Sequence, residues 1–193
     1  MEQTFIEDKS YNKIDFTENP LAEGDYENCS FDNCNLSNAD LTEIKFKDCR
    51  FRGCNLSLAK LIRTHFRNVE FIECKMLGLR FDNCSGLLIS FKFTSCVLNH
   101  SSFFRTKIKK TSFMNSTLHE VDFTESDLTS SIFANCDLAN ATFNRTIIEN
   151  ADFKTSYNYS IDPEINKIRK AKFSLSEIPG LLRKFDIEID NAS

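Results

Sequence analysis

Eight cysteines and three histidines are the side chains of this 193-residue chain best suited to nucleophilic or metal chemistry. Their spacing argues against both. Cys29 and Cys34, like Cys49 and Cys54, have four residues between them, where a zinc knuckle has two. Cys34, Cys54, Cys74, Cys96 and Cys136 recur in one long-period register, in which Ser116 takes the empty place. Chain neighbours at that interval could come close enough for a disulfide, but we expect reduced thiols packed as small hydrophobes. His65, His100 and His119 fall in separate stretches, and none is placed to share a nucleophile or a metal with another. We find no Gly-rich phosphate loop, no HExxH and no GxSxG, and so expect neither an enzyme nor a cofactor or metal site. The opening MEQTFIEDKS is too acidic and polar for a signal peptide, and no run reaches membrane-spanning length. We therefore expect a cytoplasmic chain without a membrane partner.

The elements that carry these residues follow a period of five. From Phe113 the large apolar residues are Leu118, Phe123, Leu128, Phe133, Leu138 and Phe143, a spacing that fits neither helix nor ordinary strand. Upstream, Phe31 to Phe81 keep the same period in an offset register, which requires a two-residue insertion within 82–87. With that correction every twentieth residue aligns. One column is Phe31, Phe51, Phe71, Phe93, Phe113, Phe133, Phe153; a second is Leu36, Leu56, Met76, Leu98, Leu118, Leu138. A third is Leu41, Leu61, Phe81, Phe103, Phe123, Phe143, and a fourth is Phe46, Phe66, Leu88, Ile108, Leu128, Ile148. Four columns mean a square coil that returns above itself and pairs with the coil below at strand spacing. Two residues before each large one the side chain is small, as at Cys29, Ala39, Ser101 and Ala151, so each wall supplies one large and one small inward residue. Ile44, Val69, Leu79 and Phe91 break that rule and predict local widening or an outward turn.

The units SNADL, SLAKL, ESDLT, LANATF and ENADF resemble the A-[D/N]-L-x-x unit of pentapeptide-repeat proteins. The resemblance implies an all-β, right-handed quadrilateral parallel β-helix of about seven to eight coils. We expect an N-terminal lead-in over 1–10, the β-helix over 11–157, and a degenerate last coil with a tail over 158–193. In the tail Pro163 breaks the preceding coil, Ser176 caps a short helix running to about Lys184, and FDIEI alternates like an edge strand. Ile178, Leu181, Leu182 and Phe185 would cap the open end or meet a second copy.

Charge is distributed in blocks. Residues 1–43 carry a net −9, 44–110 carry +10, 111–160 carry −5, and 161–193 are neutral. The middle block offers a basic band for a partner: Lys45, Lys47, Arg50, Arg52, Arg63, Arg67, Arg105, Lys107, Lys109 and Lys110. The layout of the tail is similar to that of the Qnr-type quinolone-resistance proteins and the related MfpA type. That likeness implies a homodimeric DNA mimic that binds DNA gyrase or topoisomerase IV. A cationic band facing a DNA-binding groove would be repelled. We therefore expect a protein-protein interaction scaffold with an unspecified partner, and keep the type II topoisomerase ligand as the alternative. Nucleic acid itself is a poor fit, because few exposed aromatics interleave the band and the isoelectric point is acidic.

Overall fold

The computed structural model describes residues 4–85 and 89–190. Its corners explain the period of five. Two residues after each central apolar side chain the backbone takes a left-handed conformation, as at Asn33, Asn38, Glu43 and Asp48, and turns the chain. Polar residues, asparagine foremost, fill these places, which is how a chain with five glycines turns so many corners. Each wall is too short to pair within its own coil, so its backbone pairs along the axis. The Asn35 N–H donates to the Ile14 carbonyl below at 2.9 Å, and the Leu36 N–H to the Asn55 carbonyl above at 2.7 Å. The result is a parallel β-solenoid of about eight turns.

The first wall, which carries the phenylalanine column, is a nine-stranded parallel sheet from Ser10–Asn12 to Lys172–Phe173. The fourth wall is a four-stranded parallel sheet of Phe5–Glu7, Asp25–Glu27, Lys45–Lys47 and His65–Arg67. The second and third walls are joined by single parallel bridges such as Asn35 with Asn55 and Ser102 with Asp122. The expected register is present: Phe31 lies over Phe51, Phe51 over Phe71, and, across the insertion, Phe71 over Phe93. Rings stack along the axis, with Phe31 and Phe51 at 4.5 Å and Phe133 and Phe153 at 4.5 Å. A second stack in the third wall meets the first edge-on, as Phe103 does Phe113 at 6.0 Å and 87°. Phe31, Phe51, Phe71, Phe93, Phe113, Phe133, Phe153, Leu36, Leu56, Leu98, Leu118 and Leu138 are all buried.

The small inward position does more than save space. The corners after the sheet strands, except that after Asp152–Phe153, lack the tight-turn bond seen elsewhere, in which the Ala39 N–H reaches the Leu36 carbonyl at 3.1 Å. Cysteines sit at those open corners, and their thiols add a second hydrogen bond to a carbonyl of the coil below that already takes part in the backbone pairing. Cys54 Sγ donates to the Phe31 carbonyl at 3.2 Å, Cys74 to Phe51 at 3.4 Å and Cys96 to Phe71 at 3.4 Å. Thr64 Oγ1 does the same for Leu41 at 2.7 Å. All eight cysteines are unbridged, and all but Cys84 are buried.

Several expectations need correction. Ile44, Val69, Leu79 and Phe91 do not turn out; all four are buried. Phe91 packs 5.5 Å from Phe66 and 5.2 Å from Phe81, filling the core beside the insertion. Leu88, assigned above to the fourth column, lies outside the described residues. The sheet starts within the supposed lead-in, because Ile6 pairs with Tyr26. In the last coil Tyr159 and Ile161 turn inward, and Pro163 sits in a turn. The short helix of the tail is present as a 3-10 helix over Leu175–Leu181 followed by a short one over Arg183–Phe185, and Ser174, not Ser176, precedes it. Pro179 within it cannot donate a backbone bond and Gly180 disfavours helix, so i+3 bonds such as Leu182 N–H to the Pro179 carbonyl replace the α pattern. The segment after Phe185 pairs with no strand among the described residues, because Asp186 turns left-handed and leads the chain off the end.

Candidate interaction surface

Each five-residue unit leaves three side chains outside: those just before, just after and two after the central residue. Sheet register stacks equivalent ones on successive coils at about 4.8 Å, so the surface is a lattice of side-chain columns.

The basic residues occupy defined places on it. Lys45, Lys47 and Arg67 lie in strands of the fourth wall, with Lys107, Lys109 and Lys110 above them on the same wall. Arg50 and Arg52 belong to the adjoining first wall, and Arg63 and Arg105 to the corner on the other side. The ten therefore spread over two walls and a corner, and half are neutralised. Lys45 meets Asp25 at 3.0 Å, Lys47 meets Glu27, Arg63 meets Glu43, Arg105 meets Glu125 at 2.6 Å, and Lys109 meets Asp127 at 3.1 Å. The Arg105 hydrogen bond holds the Glu125 carboxyl below its ordinary value. Arg50, Arg52, Arg67, Lys107 and Lys110 have no ion-pair partner among the described residues. The second wall contrasts with this: from Asn35 to His100 its outward columns hold one formal charge, Lys75.

His100 and His119, expected in separate stretches, adjoin on successive coils, where the His100 N–H donates to the His119 carbonyl at 2.9 Å, but each ring faces its own carboxylate. His100 Nδ1 faces Glu120 at 3.3 Å and His119 Nε2 faces Asp137 at 2.8 Å. Among the described residues no three His, Cys, Asp or Glu side chains are grouped to hold a metal ion. Burial pushes the Cys49 thiol up to about 12 and the Cys136 thiol up to about 11, far from a nucleophile's range. A groove of about 440 Å³ beside Asn28, Ser30, Asp48, Arg50, Asn68 and Glu70 is a furrow between outward columns of three coils. No helix among the described residues is long and apolar enough to cross a membrane.

At the C-terminal end Leu181 packs on the core, and Ile178 and Leu182 are half-buried beside it. Gly180 lies so close to Tyr159 that a Cβ would stand 2.5 Å from its carbonyl oxygen. These residues cap the coil. The apolar side chains left outside are others: Leu175, which is 90% exposed, then Phe185, Ile187 and Ile189. Leu58, also exposed, was invisible to a reading that followed only inward columns; its signal is a leucine at a corner position that is elsewhere polar or glycine.

A family model described as pentapeptide repeat region matches residues 25–92 and 79–153. No curated protein matches at a significant level. Among solved structures, trypsin-treated QnrB1, described as a plasmid-mediated fluoroquinolone resistance protein, superposes with a TM-score of 0.66 at 18% identity. That match covers 97% of this chain and 92% of QnrB1. Full-length QnrB1 gives 0.55 at 17% identity, over 95% of this chain and 100% of that one. At such identities the likeness is one of fold. A family match of this extent, on coils whose every wall is one five-residue unit, makes this chain a member of the pentapeptide-repeat family.

Proposed function

We propose that this protein is a non-enzymatic interaction scaffold, a stiff rod whose outward columns are read by a protein partner and whose C-terminal tail joins two copies. The observation that carries the reading is the register. Nine strands in one wall and four in another hold outward side chains in fixed rows, so a partner meets a preorganised surface and loses little entropy in ordering it. Exposed Leu175, Phe185 and Ile187 beside the capped end support self-association. Photo-crosslinking side chains placed at Lys107, Met114 and Asp122, on three different walls, test the scaffold in cells of the source organism. A reading surface gives adducts from one wall preferentially; equal or absent adducts from all three refute it.

One observation favours a second, finer reading. The chain shares its fold with QnrB1 along 97% of its length, and QnrB1 is a fluoroquinolone resistance protein. By analogy the rod would occupy the DNA-binding surface of a type II topoisomerase, although the unpaired bases Arg67, Lys107 and Lys110 on the fourth wall oppose such a fit. Supercoiling by DNA gyrase, with and without a quinolone, decides it. Inhibition or protection at micromolar protein supports this reading, and neither effect removes it.

A further inference from the structure

Leu58 is out of place by every local rule. Its φ is +59°, a conformation costly for a residue with a branched side chain, and every other non-glycine residue of positive φ here is polar or charged. Its side chain is 61% exposed, so the strain is not repaid by burial within the chain. The coil above leaves room for it: at Gly78 a Cβ would stand 2.9 Å from Leu58 Cδ2. Ile62 on the third wall is also exposed, and Leu77 is half-buried directly above Ser57. Strain held at an exposed apolar corner is the mark of a surface kept for contact. Around this edge lie Lys60, Lys75 and Arg80. Lys60 reaches Asp40 only at 3.6 Å, Lys75 has no ion-pair partner among the described residues, and Arg80 is held by Asp82 at 2.7 Å within its own coil.

The same chain carries a segment of matching chemistry. Asp186 to Asp190 reads DIEID; it pairs with no strand among the described residues and leaves Ile187 and Ile189 55% and 49% exposed. Acidic and apolar residues alternate along it, so docked as an extended strand it would present the two isoleucines on one face. The segment starts from the third wall, because Lys184 is tied to Asp162 at 2.7 Å and to Glu164. That is also the wall of Lys60, Ile62 and Arg80. It cannot reach its own Leu58. From Lys184 to Ile189 an extended chain spans about 17 Å, whereas the five coils between those levels span about 24 Å.

We propose that Ile187 and Ile189 of one copy dock on the Leu58 edge of a second copy, the two rods lying antiparallel with their third walls together. This rests on the reading above that the tail joins two copies, and it names the surface that receives it. A two-fold axis makes the contact reciprocal, so it closes as a dimer. The apolar pairs form its centre, with Lys60, Lys75 and Arg80 against Asp186, Glu188 and Asp190 as the rim.

Sedimentation equilibrium of the full chain tests this, comparing wild type with Leu58→Asn, which keeps a residue tolerant of positive φ, and with the tail double variant Ile187→Ser/Ile189→Ser. The expected result is a wild-type dimer whose dissociation constant rises at least about tenfold in each variant, with melting curves no lower than wild type at dilutions where all three are monomeric. A synthetic peptide of residues 183–193 should also compete with the wild-type dimer and fail to bind Leu58→Asn. If the tail variant dissociates and Leu58→Asn does not, the tail dimerises elsewhere; the docking site is refuted and the self-association stands. If Leu58→Asn alone dissociates, the tail is not the occupant and the proposal falls. A monomeric wild type overturns both the proposal and the self-association.

Discussion

Replacing Phe113 by alanine is the sharpest probe of the core. Its ring is fully buried, with Phe93 below at 5.1 Å and Phe133 above at 4.8 Å, both nearly parallel. Phe103 and Phe123 meet it edge-on at 6.0 and 6.1 Å. Removing a buried phenylalanine costs about 3–5 kcal/mol, and each aromatic pair lost adds about 0.5–1.5 kcal/mol beyond area burial. The coils cannot close the gap, because the backbone bonds of the first wall fix their separation at Ser112 to Met114. The cost should therefore fall at the upper end, about 5 kcal/mol. Phe113→Leu keeps most of the volume and should cost about 1–1.5 kcal/mol. Urea unfolding followed by circular dichroism measures both. A solenoid is held only by neighbouring coils, so a reduced m-value in Phe113→Ala would show the rod parting at that level. A loss below about 1 kcal/mol in the alanine variant, with m unchanged, would show that the stacked column does not bear on stability.

Other consequences are open to direct measurement. Leu58→Asn relieves left-handed strain at an exposed corner and should raise stability by about 1 kcal/mol, read from the urea midpoint of a sample diluted until wild type and variant are both monomeric; no gain would mean the leucine is not strained. Gly180→Ala places a methyl group against the Tyr159 carbonyl and ring and should cost about 1–3 kcal/mol, with faster hydrogen exchange confined to the last coil. The seven buried thiols, raised by burial at Cys49 and Cys136, should resist iodoacetamide at pH 8 in the native protein and react in denaturant; rapid native labelling of Cys49 would contradict the thiol-to-carbonyl ladder. The Glu125 carboxyl lies below its ordinary 4.5, so its contribution is complete above that pH and fades as pH falls through the lower folded value. Glu125→Gln should accordingly flatten that part of the acid limb of stability, by a small amount because the pair is exposed.

The inward half of this molecule was legible because a five-residue period leaves few choices for a large side chain. The phenylalanine column and the insertion between Phe81 and Phe93 both follow from counting. The cysteines were placed rightly as small inward residues, but their reason was hidden: which corners stay open depends on where strands form, and hydrophobic spacing does not carry that. The helix of the tail was legible but its 3-10 form was not, because a helical pattern around Pro179 and Gly180 takes no account of Tyr159, whose ring sets how closely the chain must pass. FDIEI alternates like a strand, yet the chain turns left-handed at Asp186 and pairs with no strand among the described residues. Leu58 escaped because it belongs to a column defined by what is absent from it, namely other apolar residues. The basic band looked continuous in one dimension; axial pairing to Asp25, Glu27 and Glu43 is what thins it in three.

The insertion lengthens one turn without disturbing those above and below it, since Phe81 still stacks on Phe103 at 4.5 Å. Extra chain is thus absorbed at a single storey, and the register resumes above it. A partner that grips the fourth wall meets that storey between Arg67 and Lys107. Lengthening or shortening that one turn would change which molecules fit while leaving every ring in the column where it is.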